Sequence, residues 1–340
     1  MATPFRWGIL GCGNIARQFV NDVKDLPGHT IQSVASRSGE KAMALGKLCD
    51  ATPIDSYADL LDDPSLDAIY VALPNSLHAD WTIRSLKAGF HVLCEKPLAT
   101  SASEAEKMFD AAAKHKKVLI EAFMYRCHPQ TAAILEAVRG GAIGKVRHIL
   151  TRFCFRVTKT EGNIRFDSDL AGGALMDVGV YCLDFARQIA GSEAKHVLSA
   201  QRRHESGVDV ATSGTIEFDN GIHASFTCAM DAQTDNSLVI SGTDGYLVCD
   251  WPWKPKPETS GYTIHGGIPP KQDVGTDQKP VAPPPQRVDV PVTLPLYALE
   301  AKAFAAACRG EAEPFMSRQD SIALANLVAD ARARGRESIE

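Results

Sequence analysis

The chain of 340 residues lacks any apolar run approaching the ~18–20 residues that a membrane-spanning helix needs. It also lacks a strong charge of either sign. Its 36 Lys+Arg and 41 Asp+Glu leave a net charge of −5, which excludes a basic field able to recruit nucleic acid or an acidic membrane. Cys12, Cys49, Cys94, Cys127, Cys154, Cys182, Cys228, Cys249 and Cys308 are odd in number, scattered, and contain no C-x-x-C. That excludes a disulfide framework or a zinc knuckle and fits a reduced, cytoplasmic protein. No H-E-x-x-H or Cys/His cluster is present, so no metal is expected. No G-x-S-x-G elbow marks a hydrolase. No tyrosine has a lysine four positions later, so the pair used by short-chain dehydrogenases is missing. The opening MATPFRWGIL has no basic segment ahead of a long apolar stretch and reads as a lead into a strand, not a signal peptide.

What is present is globular. Hydrophobic residues make up 45% and charged residues 23%, which argues against disorder. At ~150 residues per domain the length predicts two domains. Up to about residue 123, short apolar runs alternate with helical patterns. Strands are expected at Arg6–Leu10, Thr30–Ala35, Ala68–Leu73, Phe90–Cys94 and Val118–Ala122. Helices are expected at Asn14–Lys24, Glu40–Cys49, Leu77–Lys87 and Ala102–Lys114. Strands buried on both faces and joined by helices mean a parallel α/β sheet. From 124 to 340 the rhythm changes. A helix at Gln130–Arg139, a long strand at Val146–Val157 and a helix at Met176–Ile189 precede strands at Val197–Arg203, Thr212–Phe218, Ile222–Met230, Leu238–Ser241 and Tyr246–Asp250. Consecutive strands with hairpin turns, such as Asp219-Asn220-Gly221, predict an α+β domain with an open, mostly antiparallel sheet. The proline-rich stretch 252–291 reads as an extended loop. Helices at Leu296–Arg309 and Arg318–Arg334 end the chain.

Gly11-Cys12-Gly13-Asn14-Ile15-Ala16 is G-x-G-x-x-A between the first strand and the first helix. Gly11 permits a tight turn, Gly13 a close approach of backbone to a pyrophosphate, and Ala16 close helix packing. The amides of Asn14 and Ile15 open the helix, where N–H groups face an anion. The second strand ends in Ala35-Ser36-Arg37-Ser38. NAD enzymes usually carry a carboxylate there for the ribose. Here none repels a 2′-phosphate, and Ser36 and Arg37 can bind one. NADP is therefore expected, with NAD as the alternative. The other reading of the string is a helix-capping turn with Arg37 in solvent. Lys96, in Glu95-Lys96-Pro97, lies beyond the carboxyl end of a strand, where ligands of open parallel sheets bind. Asp177 and Tyr181 stand at i and i+4 just after Gly172-Gly173, which puts both on one helix face. Spacing alone favours the other reading, a dipole-complementing Asp and a Tyr half-buried in the core.

GILGCGNIA, VALPNSLHAD, VLCEKPLA, EAFMYRCHP and GGALMDVGVY, in that order, resemble the Gfo/Idh/MocA family of NAD(P)-dependent oxidoreductases over nearly the whole chain. EAFMYRCHP, the Tyr of DVGVY and SGTDGYLVCDWPW resemble the branch of D-xylose/glucose 1-dehydrogenases and dimeric dihydrodiol dehydrogenases. The resemblance implies a Rossmann domain over 1–123 and an α+β substrate domain over 124–340 that often forms a dimer or higher homo-oligomer. It implies that Lys96 is catalytic and that Glu95 is its cofactor-side neighbour. Asn75 and His78 would lie by the nicotinamide and its ribose, and Leu73 would belong to the cofactor site. Tyr181 stands where many relatives have a catalytic His, and Asp177 matches a substrate-orienting carboxylate. Arg165 is similar to an arginine near the cofactor in anhydrofructose reductases.

The expected reaction is hydride transfer between NADP and a sugar, polyol or diol hydroxyl, as in an aldose 1-dehydrogenase. A free tyrosine titrates near pH ~10 and is a poor base; a neighbouring ammonium such as that of Lys96 would favour the phenolate. Two rivals stand beside this reading: a trans-dihydrodiol dehydrogenase, and an NADP-binding sensor without turnover. A sensor needs only the nucleotide-binding half.

Overall fold

The computed structural model describes residues 4–269 and 281–333 and the backbone of 335–338. Among these, no helix is long and apolar enough to cross a membrane. The chain divides into two compact units. The first comprises 1–127, 169–171 and 294–326, the second 128–168, 172–293 and 327–340.

The first unit is built on six parallel strands: β1 (Phe5–Leu10), β2 (His29–Ala35), β3 (Thr52–Ile54), β4 (Ala68–Val71), β5 (His91–Glu95) and β6 (Leu119–Ala122). Helices α1 (Asn14–Val23), α2 (Gly39–Cys49), α3 (Tyr57–Leu60), α4 (His78–Lys87) and α5 (Ala102–Lys114) connect them. The strand order is β3-β2-β1-β4-β5-β6, so chain direction across the sheet reverses between β1 and β4. All of β4 and β6 is buried, as expected of parallel strands with both faces covered. Ser38, Ser56 and Ser101 cap α2, α3 and α5 by accepting a first-turn N–H, which explains why these helices start where they do.

The second unit adds α6 (Pro129–Arg139), β7 (Val146–Cys154), α7 (Val180–Ala190), β8 (Ala194–Arg203), β9 (Asp209–Phe218), β10 (His223–Ala229), β11 (Leu238–Gly242), β12 (Gly245–Cys249), β13 (Gly261–Gly266) and β14 (Gln286–Asp289). Then come α8 (Leu296–Cys308), which belongs to the first unit, α9 (Arg318–Ala333), and β15 (Gly335–Ser338). The second sheet has the order β14-β13-β12-β11-β7-β10-β9-β8-β15. Its pairings are antiparallel except β7 with β10 and β8 with β15. Side chains alternate in burial along β7, β9 and β10, the signature of a sheet covered on one face.

Three expectations change. The C-terminal residues do not all join the second unit: 294–326 pack with the first. The reason is aromatic. Phe304 of α8 lies 6.2 Å from Phe5 and 5.3 Å from Trp7, and the Tyr297 N–H donates to Asp22 at 3.1 Å. The stretch 252–291 is not all loop. GYTIHG and QRVD are proline-free islands that form β13 and β14, while prolines, having no N–H for the ladder, stay outside them. Residues 270–280 of that expected loop lie outside the described residues. Finally, the first residues of the helix expected from Met176 form a single turn of π-helix, Leu175–Gly179, and α7 proper begins at Val180.

Two histidines, His128 buried and His29 half-buried, carry a consequence for stability. His29 Nδ1 accepts the Trp7 indole N–H at 3.1 Å, and His128 Nδ1 caps α6 by accepting the Gln130 N–H at 3.1 Å. Burial pushes both imidazoles down to about 4, which keeps these nitrogens free to accept. A folded value below the unfolded ~6.5 contributes stability above that pH and loses it as pH falls toward 4. Thermal melts are expected to fall between pH 6.5 and 4, with a shallower fall in a His29→Asn/His128→Asn variant. Superimposable pH profiles for the two proteins would reject the assignment.

Candidate active site

In the first unit, β1 and β4 flank the point where strand order reverses, the usual ligand crevice of such sheets. Gly11, just beyond β1, has φ +105°, and a Cβ there would collide with the Ala72 carbonyl and the Leu73 side chain. Its N–H donates to Ala35 O at 2.9 Å, which ties the turn to β2. Gly13 is different: nothing lies within 4 Å of where its Cβ would be. Gly13 and Asn14 are exposed, Ile15 is half-buried, and Ala16 is fully buried. No side chain caps α1, so its first-turn N–H groups are left for a ligand. An exposed glycine at an uncapped helix start fits a pyrophosphate.

At the end of β2, Ser36 is buried and its Oγ accepts the Ser38 N–H at 3.1 Å. Ser38 in turn caps α2. The serines therefore hold the turn, and Arg37 is exposed at its tip. Both readings of the string meet here: the turn is a cap, and it presents a guanidinium.

Leu73 is buried in the core of the unit. His78 is fully buried. Its Nδ1 lies 2.8 Å from Pro97 O and its Nε2 2.9 Å from Leu73 O. Burial lowers the imidazole's pKa despite the two carbonyls that favour its charged form. Both ring nitrogens face main-chain carbonyls, so His78 lies between the segment after β4 and the segment after β5. Asn75 donates to Ala171 O at 2.8 Å. Lys96, half-buried, follows β5, and the Lys96–Pro97 peptide is cis. Glu95 is buried and accepts the Tyr70 hydroxyl. Glu121 Oε1 accepts the Leu98 N–H at 2.9 Å. Lys96 is thus flanked by residues fixed to two strands, β4 and β6, and to helix α4.

In the second unit, Arg165 Nε lies 2.5 Å from Asp177 Oδ2. The two approach because of the glycines. The Gly173 N–H donates to Arg165 O at 2.9 Å. A Cβ on Gly172 would strike the Arg165 carbonyl, and one on Gly173, at φ +120°, would strike the Asp209 carboxylate. Asp209 Oδ2 accepts the Leu175 N–H at 2.8 Å and the Thr212 hydroxyl at 2.7 Å. Asp209 thereby anchors the π turn that carries Asp177. π turns within helices are frequent at functional sites. Tyr181, in the first turn of α7, is 4% exposed. Its ring lies edge-on to Phe153 at 5.4 Å and to Trp253 at 6.1 Å. Trp253 stacks on Phe153 at 5.7 Å and donates its indole N–H to Arg152 O at 2.7 Å.

The structure therefore gathers Gly11, Gly13, Asn14, Ile15, Ser36, Arg37, Leu73, Asn75, His78, Glu95 and Lys96 in the first unit, and Arg165, Asp177 and Tyr181 in the second. Arg165 and Asp177, to which the sequence resemblance gives separate tasks, are ion-paired. Asp209, Tyr70 and Glu121 escape the sequence reading because each acts on a segment far along the chain. Among the described residues, no group of three or more His, Cys, Asp or Glu is placed to hold a metal ion.

Residues 5–123 match the family model described as "Oxidoreductase family, NAD-binding Rossmann fold", and residues 131–248 match the GFO/IDH/MocA C-terminal domain. The chain is 33% identical over 323 residues to a D-xylose 1-dehydrogenase (NADP(+)) of Haloferax volcanii, covering 95% of this chain and 94% of that one. It is 33% identical over 254 residues to the trans-1,2-dihydrobenzene-1,2-diol dehydrogenase of Mus musculus, covering 74% and 76%. Among solved structures it resembles the 3-ketoreductase KijD10 of Actinomadura kijaniata, in complex with NADP and TDP-benzene, with a TM-score of 0.87, 30% identity, and coverage of 98% of this chain and 99% of that one.

Proposed function

The chain belongs to the GFO/IDH/MocA oxidoreductases, and from that premise we propose that it is an NADP-dependent dehydrogenase of sugar or polyol hydroxyls, acting as an aldose 1-dehydrogenase. The observation that carries this reading is the likeness, across nearly the full length of both chains, to an NADP-dependent D-xylose 1-dehydrogenase. When bound, the nicotinamide accepts or supplies the hydride. The chain's own residues do the remainder. Gly11, Gly13 and the amides of Asn14 and Ile15 receive the pyrophosphate, and Arg37 receives the 2′-phosphate. Asp177 holds a substrate hydroxyl. Tyr181 takes the proton that leaves the oxidised hydroxyl and returns it in the reverse direction. Lys96 stabilises the negative charge that develops on that oxygen. Nine unpaired cysteines suit a reducing, cytoplasmic setting.

The test is product analysis after incubation with NADP and a panel of aldoses, ketoses, polyols and diols. A lactone from D-xylose or D-glucose supports the reading. A catechol from a trans-dihydrodiol replaces it with the diol dehydrogenase, and no reduction of NADP by any substrate leaves a nucleotide-binding sensor. Cofactor choice has its own test. Arg37→Asp is expected to raise KM for NADP by roughly 10²-fold while changing KM for NAD little, because a charge-assisted bond is replaced by repulsion. Equal kinetics with both cofactors in the unaltered protein would reject the role given to Arg37.

The second sheet suits self-association. On its uncovered face Leu198 pairs with Thr215, Ser225 with Leu150, and Leu150 with Val239, and Leu198 is 68% exposed. Three apolar side chains, Leu198, Leu150 and Val239, thus share this face with Thr215 and Ser225, a surface that a second copy of the chain would cover. The expected solution state is a homodimer or higher homo-oligomer by sedimentation, and Leu150→Glu should shift it to monomer. A monomer in the unaltered protein overturns this.

A further inference from the structure

The core of the first unit holds a carboxyl group with no task in the scheme above. Glu300 lies on α8 and is fully buried, and neither of its carboxyl oxygens has a hydrogen-bond partner. The Tyr297 hydroxyl, one turn earlier on the same helix, is likewise buried and unpartnered. Such groups are costly, and each in a folded protein calls for an explanation. Their surroundings supply one. The Phe19 ring stacks on Tyr70 at 4.0 Å and meets Tyr297 edge-on at 6.5 Å. Tyr70 donates its hydroxyl to Glu95, and Glu95 immediately precedes Lys96. The groups facing Glu300 are Glu95 from β5, Tyr70 from β4, Cys127 from the turn after β6 and Tyr297 from its own helix. None is a cation.

Two carboxyl groups buried together in such a setting do not both ionise. Glu95 has a hydrogen bond able to stabilise a charge and the Glu300 oxygens have none, so the neutral state falls to Glu300. Burial and the Glu95 charge both push Glu300 far above the ordinary carboxylate range.

We propose that Glu300 is a positioning residue for the Lys96 site, acting through Glu95: as a neutral acid it leaves one negative charge, on Glu95, held by Tyr70. Ionisation of Glu300 at alkaline pH puts a second negative charge against Glu95, loosens the Tyr70–Glu95 arrangement and lowers turnover. The device is a buried acid that sets the charge state of the residue beside Lys96. It rests on the reading that Lys96 takes part in the reaction.

The experiment compares the pH profiles of kcat and kcat/KM for the unaltered enzyme, Glu300→Gln, Glu300→Leu and Lys96→Ala, with NADPH binding measured by fluorescence. Glutamine copies the neutral acid and cannot ionise. Glu300→Gln is expected to keep kcat within about twofold at pH 7 and to remain active at alkaline pH where the unaltered enzyme falls off. Glu300→Leu, apolar but similar in size, is expected to lose roughly tenfold in kcat, of the kind that a small displacement near the chemistry causes. NADPH affinity should be unchanged in both. A merely structural glutamate would alter the melting temperature and leave the shape of the pH profile as it was. The proposal is overturned by a Glu300→Gln profile that superimposes on that of the unaltered enzyme. It is also overturned by a Glu300→Gln protein that binds NADPH but is inactive at pH 7, since the charged form would then be the working one. A fully active Lys96→Ala rejects the underlying reading and this proposal with it, whereas an inactive Lys96→Ala beside an unchanged Glu300→Gln profile rejects only the proposal.

Discussion

Tyr181→Phe is expected to lower kcat by roughly 10²–10⁴-fold, the range for loss of a positioned acid–base group, while NADPH binding stays nearly unchanged. The substitution removes one hydroxyl and keeps the ring. The edge-on contacts with Phe153 at 5.4 Å and Trp253 at 6.1 Å therefore persist, and the π turn ahead of α7 remains anchored by Asp209. A large fall in turnover then has no packing explanation. The competing account is that Tyr181, only 4% exposed, is a core residue. That account predicts a stability loss of about 1 kcal/mol from one missing hydrogen bond, with turnover intact. The companion Tyr181→His restores a titratable group. Its imidazole should recover part of the activity with the pH optimum moved toward the His range. Melting temperature and kcat against pH, measured on both variants, separate the accounts. A normal kcat with a lowered melting temperature in the Phe variant removes Tyr181 from the chemistry.

The parts of this site that can be read in the sequence are those whose chemistry is local. Gly11 and Gly13 declare themselves because a tight turn and an open helix start each need glycine at a fixed position, and the structure shows a blocked Cβ at one and free space at the other. The buried strand AIYV is legible because both faces are apolar. β3, Thr-Pro-Ile, is not: an edge strand this short, with a proline inside it, has no periodicity to detect. β13 and β14 are hidden by the prolines around them. Within the site, Asp177 and Tyr181 are visible as a spaced pair, but the Arg165–Asp177 contact depends on Gly172 and Gly173 folding two segments together. Asp209, Tyr70 and Glu300 are beyond sequence reading for the same reason. Each has its effect on a residue brought near only by the fold, and a lone Asp, Tyr or Glu in an ordinary strand or helix gives no local signal. His78 shows the converse. Its motif is plain, yet only the structure reveals that both ring nitrogens face the carbonyls of Leu73 and Pro97.

Lys96→Ala is expected to cut kcat by ~10²-fold or more, the loss expected when a group that stabilises charge in the transition state is removed. Three neighbours show that the local frame is built for this position. Glu95 is fixed by the Tyr70 hydroxyl, the Pro97 carbonyl by His78 and the Leu98 N–H by Glu121. None of these contacts uses the Lys96 side chain, so alanine should leave them in place. Lys96 is itself only half-buried, and truncating it opens no core cavity. The melting temperature should therefore stay within a few degrees. Lys96→Arg retains the positive charge but spreads it over a planar fork, and it should recover only a minor part of the rate. The most informative variant is the double, Lys96→Ala with Tyr181→Phe. Residues that serve one chemical step are strongly non-additive, so the double variant should be about as slow as the slower single one. A loss equal to the product of the two single losses would mean independent roles. Retained turnover in a folded Lys96→Ala protein would leave the lysine as a surface residue and place the chemistry elsewhere.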